Sequence, residues 1–410
     1  MPRREDGGVS ATAPHLRYAR SNIARLAIAQ ALAGANSVVL FATGAILGHD
    51  LAPSPALATL PISIFVVGMA ACILPAGAVA RRHGRRIAFL LGNVCGVLVG
   101  LLSMLAVIQA SFWLLCLGAF LGGAYAAVVQ SFRFAAADCV EPERRPRALS
   151  IVMAGGVVAG VLGPQLVTLT MDLWPAHMFA ATFIAQSIVA LLSALVLAGV
   201  RLPLPTAEEI AGGRPLSAIV RQPGFAVAVM CGAISYMVMN FLMTAAPLAM
   251  RLCGHSQASS NLGLQWHIIA MYGPSFFTGG LVTRFGAARV AIVGFALIGM
   301  AVFAGLRGIA VADFWLTLIL LGVGWNFSFV GASTMVLDCH RPEEKALVQS
   351  LNDFIIFGLM AVGSFTSGEL LTLYGWDTVL WVSLGPLAMV VAALLLFITR
   401  NAAPLARPAP

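Results

Sequence analysis

Gly77-Ala78-Val79-Ala80-Arg81-Arg82-His83-Gly84-Arg85-Arg86 and, 202 residues later, Gly279-Gly280-Leu281-Val282-Thr283-Arg284-Phe285-Gly286 followed by Arg289 share one pattern. Each has a glycine, an arginine five positions on, and a second glycine two further. Each copy closes one apolar stretch and opens the next. A second pair, Asp138-Cys139-x2-Pro142-Glu143 and Asp338-Cys339-x2-Pro342-Glu343, repeats at a spacing of 200. Two unrelated motifs at nearly the same offset mark an internal duplication of a unit of about 200 residues.

The stretches between the motifs say what the unit is. Of the 410 residues 60% are hydrophobic and 10% charged, with a mean hydropathy of +0.93, whereas soluble domains carry about one quarter charged residues. Apolar runs of about 20 residues, enough to cross a hydrocarbon core of about 30 Å, recur twelve times. They lie near 22–42, 58–80, 87–109, 112–132, 148–171, 177–200, 223–246, 262–283, 288–308, 313–337, 347–372 and 377–399. Backbone polar groups in lipid must be satisfied internally, and runs of this length without ten-residue alternation do so as helices. The expected fold is therefore an all-α membrane protein with twelve transmembrane helices in two six-helix pseudo-repeats. Its expected parts are a tail 1–21, a bundle 22–200, a linker 201–222 rich in Pro and Gly, a bundle 223–399 and a tail 400–410.

Charge orients it. All 24 Lys and Arg except Arg251 and Arg307 fall in alternate connections or in the tails. Basic residues stay on the cytoplasmic side, so both termini are expected there, in a bacterial-type cytoplasmic (inner) membrane. The same placement accounts for the net charge of +8 without nucleic acid, since no basic run is interleaved with base-stacking aromatics. The first apolar run lacks a small-residue cleavage site and reads as an uncleaved start helix. The seven cysteines show no Cys-x-x-Cys and read as small packing residues.

Residues 77–86 resemble the loop 2–3 signature of the major facilitator superfamily, G-x-L-A-D-R-x-G-R-K/R, and the resemblance extends over essentially the whole chain. It implies a secondary transporter working by alternating access, with a gating role for Gly77, Arg82, Gly84, Arg85 and Asp138 and for the degenerate copy at Arg284 and Gly286. One departure is that Arg81 replaces the family's acidic residue, removing the carboxylate from which the family's latch is inferred. Asp138, Glu141 and Glu143 are available to supply charge instead. Ala159-Gly160-x2-Gly163-Pro164 matches part of the antiporter Gly-Pro signature, with Val167 and Thr168 where further glycines are expected. The arginine and glutamine of the proton-antiporter signature map to Ala119 and Gly122, which argues against an ordinary proton-coupled drug exporter. The stretches 133–138 and 265–279 resemble a bacterial branch of the superfamily that includes proposed riboflavin importers.

Inside the bilayer a charge costs at least about 2.5–3.5 kcal/mol at a helix centre, so each is a functional candidate. His267, Asp353 and Glu369 stand out; His267 and Asp353 are the possible coupling residues, His267 because histidine titrates near neutrality. Arg133 lies within about a turn of its segment's inner end, from which it can snorkel. Amides and aromatics speak to the cargo: Asn36, Tyr236, Asn240, Gln265, Trp325 and Asn326 are the expected substrate contacts. Amide donors and acceptors among rings suit a flat, largely neutral heterocycle. Gly163-Pro164 and Gly273-Pro274 are hinge candidates because Gly-Pro loosens the helical ladder. No phosphate loop, metal cluster or activated nucleophile is present in the sequence, so neither an enzyme nor a cofactor or metal is expected. The expected partners are a small solute, the bilayer and protons as a possible coupling ion, with no nucleic acid and no obligatory protein. Import of a vitamin-like heterocycle such as riboflavin leads, and proton-coupled efflux of drugs or hydrophobic compounds is the alternative.

Overall fold

The computed structural model describes residues 18–54, 57, 60–202 and 213–402. Residues 203–212 of the linker, 1–17 and 403–410 of the tails and the side chain of Glu369 lie outside the described set. Every regular element among the described residues is helical: α1 (Ala19–Leu51), α2 (Leu60–His83), α3 (Arg85–Ile108), α4 (Phe112–Gln130), α5 (Arg145–Thr170), α6 (Ala180–Ala198), α7 (Pro223–Leu252), α8 (Gln257–Tyr272), α9 (Ser275–Phe285), α10 (Ala287–Leu306), α11 (Val311–Leu337) and α12 (Lys345–Ala402), with a few short turns.

Eleven stretches among the described residues are long and apolar enough to cross a membrane, against the twelve expected. The difference lies in the eighth. Pro274 has no N–H to donate, and the run divides into α8, of 16 residues, and α9, of 11, each too short to span alone. Together α8 and α9 cover the expected 262–283. The last two spans run together as α12, interrupted at Gly375, where φ is 83° and ψ 175°.

The duplicated signature has a structural meaning in both copies. Its second glycine is the entire connection between two helices: Gly84 (φ 87°, ψ 155°) joins α2 to α3, and Gly286 (φ 89°, ψ 147°) joins α9 to α10. That backbone region is open only to glycine. Its first glycine is a close approach between the first six spans and the last six. A β-carbon on Gly77 of α2 would overlap Ser350 Oγ of α12, and one on Gly279 of α9 would sit 2.7 Å from the backbone of Pro146 and Arg147 in α5.

The 200-residue offset reappears in contacts. At the start of α1, Asn22 donates to the carbonyl of Arg201 (2.8 Å), accepts from its N–H (3.0 Å) and reaches Cys139 Sγ at 3.7 Å. At the start of α7, Gln222 donates to the carbonyl of Cys339 (3.3 Å). Cys139 and Cys339 each donate a thiol hydrogen to the carbonyl four residues back, at 3.2 Å. Burial pushes both thiols up to about 11, so they stay protonated and act as packing groups.

Replacing Gly84 or Gly286 with alanine is expected to cost about 1–3 kcal/mol each through backbone strain. Gly280→Ala, on a helix with open space around its α-carbon, is expected to leave stability unchanged or raise it. Thermal unfolding of the three purified variants in detergent measures the contrast.

Candidate functional site

After Gln130 the fourth span breaks at Ser131 and resumes as a short helix, Phe132–Ala137. The break places Arg133 inside the protein, 2% exposed. Its guanidinium meets Asp353 Oδ1 of α12 at 2.6 Å, with both side chains nearly dry. The other terminal nitrogen donates to the Gln130 carbonyl (2.6 Å) and to Gln130 Oε1 (2.8 Å), and the cation lies over the rings of Phe134 and Phe329, 4.4 and 4.8 Å from their centroids. Asp353 Oδ1 also accepts from the Asn352 amide at 2.9 Å. A buried ion pair needs hydrogen bonds to satisfy what the partner does not; Gln130 and Asn352 meet most of that need, and Arg133 Nε is left without a partner among the described residues.

Against this pair packs an aromatic cluster. Tyr236 of α7 accepts from Gln130 Nε2 at 3.3 Å and meets Trp325, Phe329 and Phe357 edge-on at 5.3, 5.1 and 4.8 Å. Trp325 stacks on Phe329 at 4.9 Å and 16°, and Tyr272 of α8 closes on Trp325 at 5.7 Å. The spacing explains the convergence: Trp325 and Phe329 are four apart on α11, as are Asp353 and Phe357 on α12, so each pair shares one helix face. The indole nitrogen of Trp325 and the amide nitrogen of Asn240, four residues after Tyr236, are buried with no hydrogen-bond partner among the described residues.

One turn nearer the arginine-rich face, α12 presents Gln349. Arg85, at the start of α3, donates to Gln349 Oε1 (2.6 Å) and pairs with Asp138 (2.8 Å). Asp138 thus provides the charge that Arg81 cannot. A small cavity separates this layer from the Arg133–Asp353 layer, bounded by Gly77, Ser131, Phe134 and Gln349.

The expected site residues divide. Tyr236, Trp325 and Asp353 meet in the cluster, with Asn240 beside it. Asn36 lies elsewhere: its Oδ1 accepts from Gln186 Nε2 at 2.7 Å, clamping α1 to α6. Asn326 braces the break between α8 and α9, donating to the Met271 carbonyl and Ser275 Oγ (2.6 Å each) and accepting from Thr278 (2.7 Å). Gln265 is exposed. His267 is fully buried and bonds the Leu318 carbonyl of α11 at 2.7 Å. Arg82 and Arg284 are exposed. Gly163-Pro164 lies within an unbroken α5, whereas Gly273-Pro274 interrupts its span. Gln130, Gln349 and Phe357 carried no signal in the sequence, and Arg133 carried only the one of an arginine inside an apolar run.

Removing one member of the buried pair, as Arg133→Met or Asp353→Leu, is expected to destabilise by about 3–5 kcal/mol, while the double variant recovers most of the loss. Thermal unfolding of the two single variants and the double one in detergent reads this cycle.

The model of the Major Facilitator Superfamily matches residues 26–274 and 228–410. The riboflavin transporter RfnT of Brucella anthropi is 45% identical over 381 residues, covering 92% of this chain and 96% of that protein. An MFS-type transporter of Bacillus subtilis, YdeG, is 30% identical over 84% of each chain. Among solved structures, the E. coli fucose:proton symporter FucP superposes with a TM-score of 0.71 at 15% identity, over 94% of this chain and 98% of that one. The human organic anion transporter TETRAN gives 0.72 at 14%, over 93% and 100%. At that identity the structures speak to fold alone, and their fold is this one. A duplicated bundle with a polar, aromatic centre, matched end to end by transporters in sequence and in structure, is a multi-pass secondary transporter of a small solute and belongs to the Major Facilitator Superfamily.

Proposed function

We propose that this chain imports riboflavin across the cytoplasmic membrane by alternating access. The observation that carries the reading is the aromatic cluster of Tyr236, Tyr272, Trp325, Phe329 and Phe357 in a chain 45% identical to a riboflavin transporter along nearly its whole length. Ring faces suit a planar tricycle. Arg133, the cation at the cluster among the described residues, is already matched by Asp353, which favours a neutral solute over a phosphorylated one.

In this reading residues 22–200 and 223–399 move as two bodies about the midplane site, joined by 201–222, and the arginine-rich face is cytoplasmic. The Arg85–Asp138–Gln349 and Arg133–Asp353 layers then form the inner gate, and Gly77 and Gly279 are among the points where the two bodies touch when it is shut. Breaking both layers accompanies inward opening. Gly273-Pro274, braced by Asn326, is the hinge that bends; Gly163-Pro164 is its counterpart in α5. Proton coupling, where it operates, falls to Asp353 ahead of His267, because Asp353 joins the two bodies while His267 bonds within one of them.

Cells that neither make nor import riboflavin are expected to take it up saturably when they express this chain, and an ionophore is expected to reduce accumulation. Absence of uptake with confirmed membrane insertion overturns the reading and turns attention to efflux of hydrophobic compounds. Asp353→Asn is expected to abolish ionophore-sensitive accumulation, and His267→Gln to preserve it. The reverse order would move the coupling role to His267.

A further inference from the structure

Four buried polar atoms around the aromatic cluster have no hydrogen-bond partner among the described residues: Arg133 Nε, Asn240 Nδ2, Trp325 Nε1 and Asn352 Oδ1. The side chains that carry them are 1–3% exposed. Unmatched buried polar groups are rare in folded proteins and call for an explanation. Here they group by chemistry. Three are donors, from a guanidinium, an amide and an indole, and one is an amide acceptor.

Their placement follows from contacts already described. Trp325 stacks on Phe329, over which the Arg133 guanidinium lies. Asn352 is held beside Arg133 through Asp353, to which both donate. Asn240 is one helical turn beyond Tyr236, which touches Trp325, Phe329 and Phe357. Three donors and one acceptor therefore sit on residues that belong to one stack of rings, are joined to it through Arg133, or stand one helical turn from it.

We infer that this set reads the imide edge of the substrate, a carbonyl, an N–H and a second carbonyl in a row, with Asn352 Oδ1 accepting from the N–H and two of the three donors reaching the carbonyls. The inference rests on the riboflavin reading and deepens it, since the dioxopyrimidine end of a flavin ring carries this edge. Uracil-type bases carry the same edge without the tricyclic body, and the five-ring cluster is larger than one pyrimidine needs. A site built to bond an N–H rejects the analogue that lacks it, because the acceptor is left buried and unpaired.

The test is competition against labelled riboflavin uptake in cells expressing the full chain, with 3-methylriboflavin, 5-deazariboflavin and uracil as competitors. Methylation at N3 removes the imide N–H, whereas the 5-deaza change leaves that edge intact. The wild type is expected to bind 3-methylriboflavin at least about tenfold more weakly than riboflavin, 5-deazariboflavin about as well as riboflavin, and uracil weakly. Asn352→Leu is expected to bring the riboflavin to 3-methylriboflavin ratio within about twofold, and Trp325→Phe to weaken riboflavin and 5-deazariboflavin equally. The ratio is independent of how much transporter reaches the membrane. Riboflavin uptake with equal competition by 3-methylriboflavin in the wild type overturns the inference and leaves the import reading standing. Uracil competing as well as riboflavin overturns the assignment of the rings to a tricycle. Absence of riboflavin uptake overturns the import reading itself.

Discussion

The buried contact between Arg133 and Asp353 ties this structure together. It joins the fourth span to the eleventh, 220 residues apart, at 2.6 Å and almost out of reach of water. Two opposite charges in a low-dielectric interior hold each other strongly, yet each was costly to bring there, so the balance depends on the groups around them. Gln130, Asn352 and the faces of Phe134 and Phe329 provide that surrounding. The break at Ser131 serves the same end, because it turns Arg133 inward. The aromatic cluster then packs on the charged pair, and Gln130 links the two through Tyr236.

The internal repeat sets the scaffold, and the charged groups depart from it. Gly84 and Gly286 have nearly the same backbone angles, and Gly77 and Gly279 both mark close crossings between the two sets of spans. The polar charge network does not repeat. Arg133 has Ser333 and Asp353 has Met153 at the 200-residue offset, and Arg85 has Ala287 in the second copy of the loop. Charges are costly in the bilayer, so a buried pair carried in one copy alone costs the fold less than two.

The amides expected as substrate contacts have several uses. Asn36 holds α1 to α6, and Asn326 supplies a donor to the carbonyl of Met271 next to the proline break. Both tasks follow from the same rule: a polar group in an apolar interior finds a partner, and a neighbouring helix is the nearest one. Asn240 is the exception, buried one helical turn from Tyr236 with its amide nitrogen unmatched among the described residues.

The sequence by itself determined the all-helical fold, nearly every span, the duplication and the transporter class, because those are written in local properties. Hydropathy fixes a span through the bilayer's thickness, and a repeated glycine marks a repeated turn. Tyr236, Trp325 and Asp353 carry a signal in the sequence too, Asp353 as a charge inside an apolar run and the two rings as aromatics near amides. Pairing comes from the packed helices alone. That Arg133 meets Asp353, that Arg85 reaches Gln349, that Asn36 faces Gln186 and that Asn326 reaches Met271, 55 residues away at the break, depend on helix rotation and packing. A helix's rotation is set by the small residues and ridges of its neighbours, distant in sequence, so a residue's own surroundings along the chain carry no record of it.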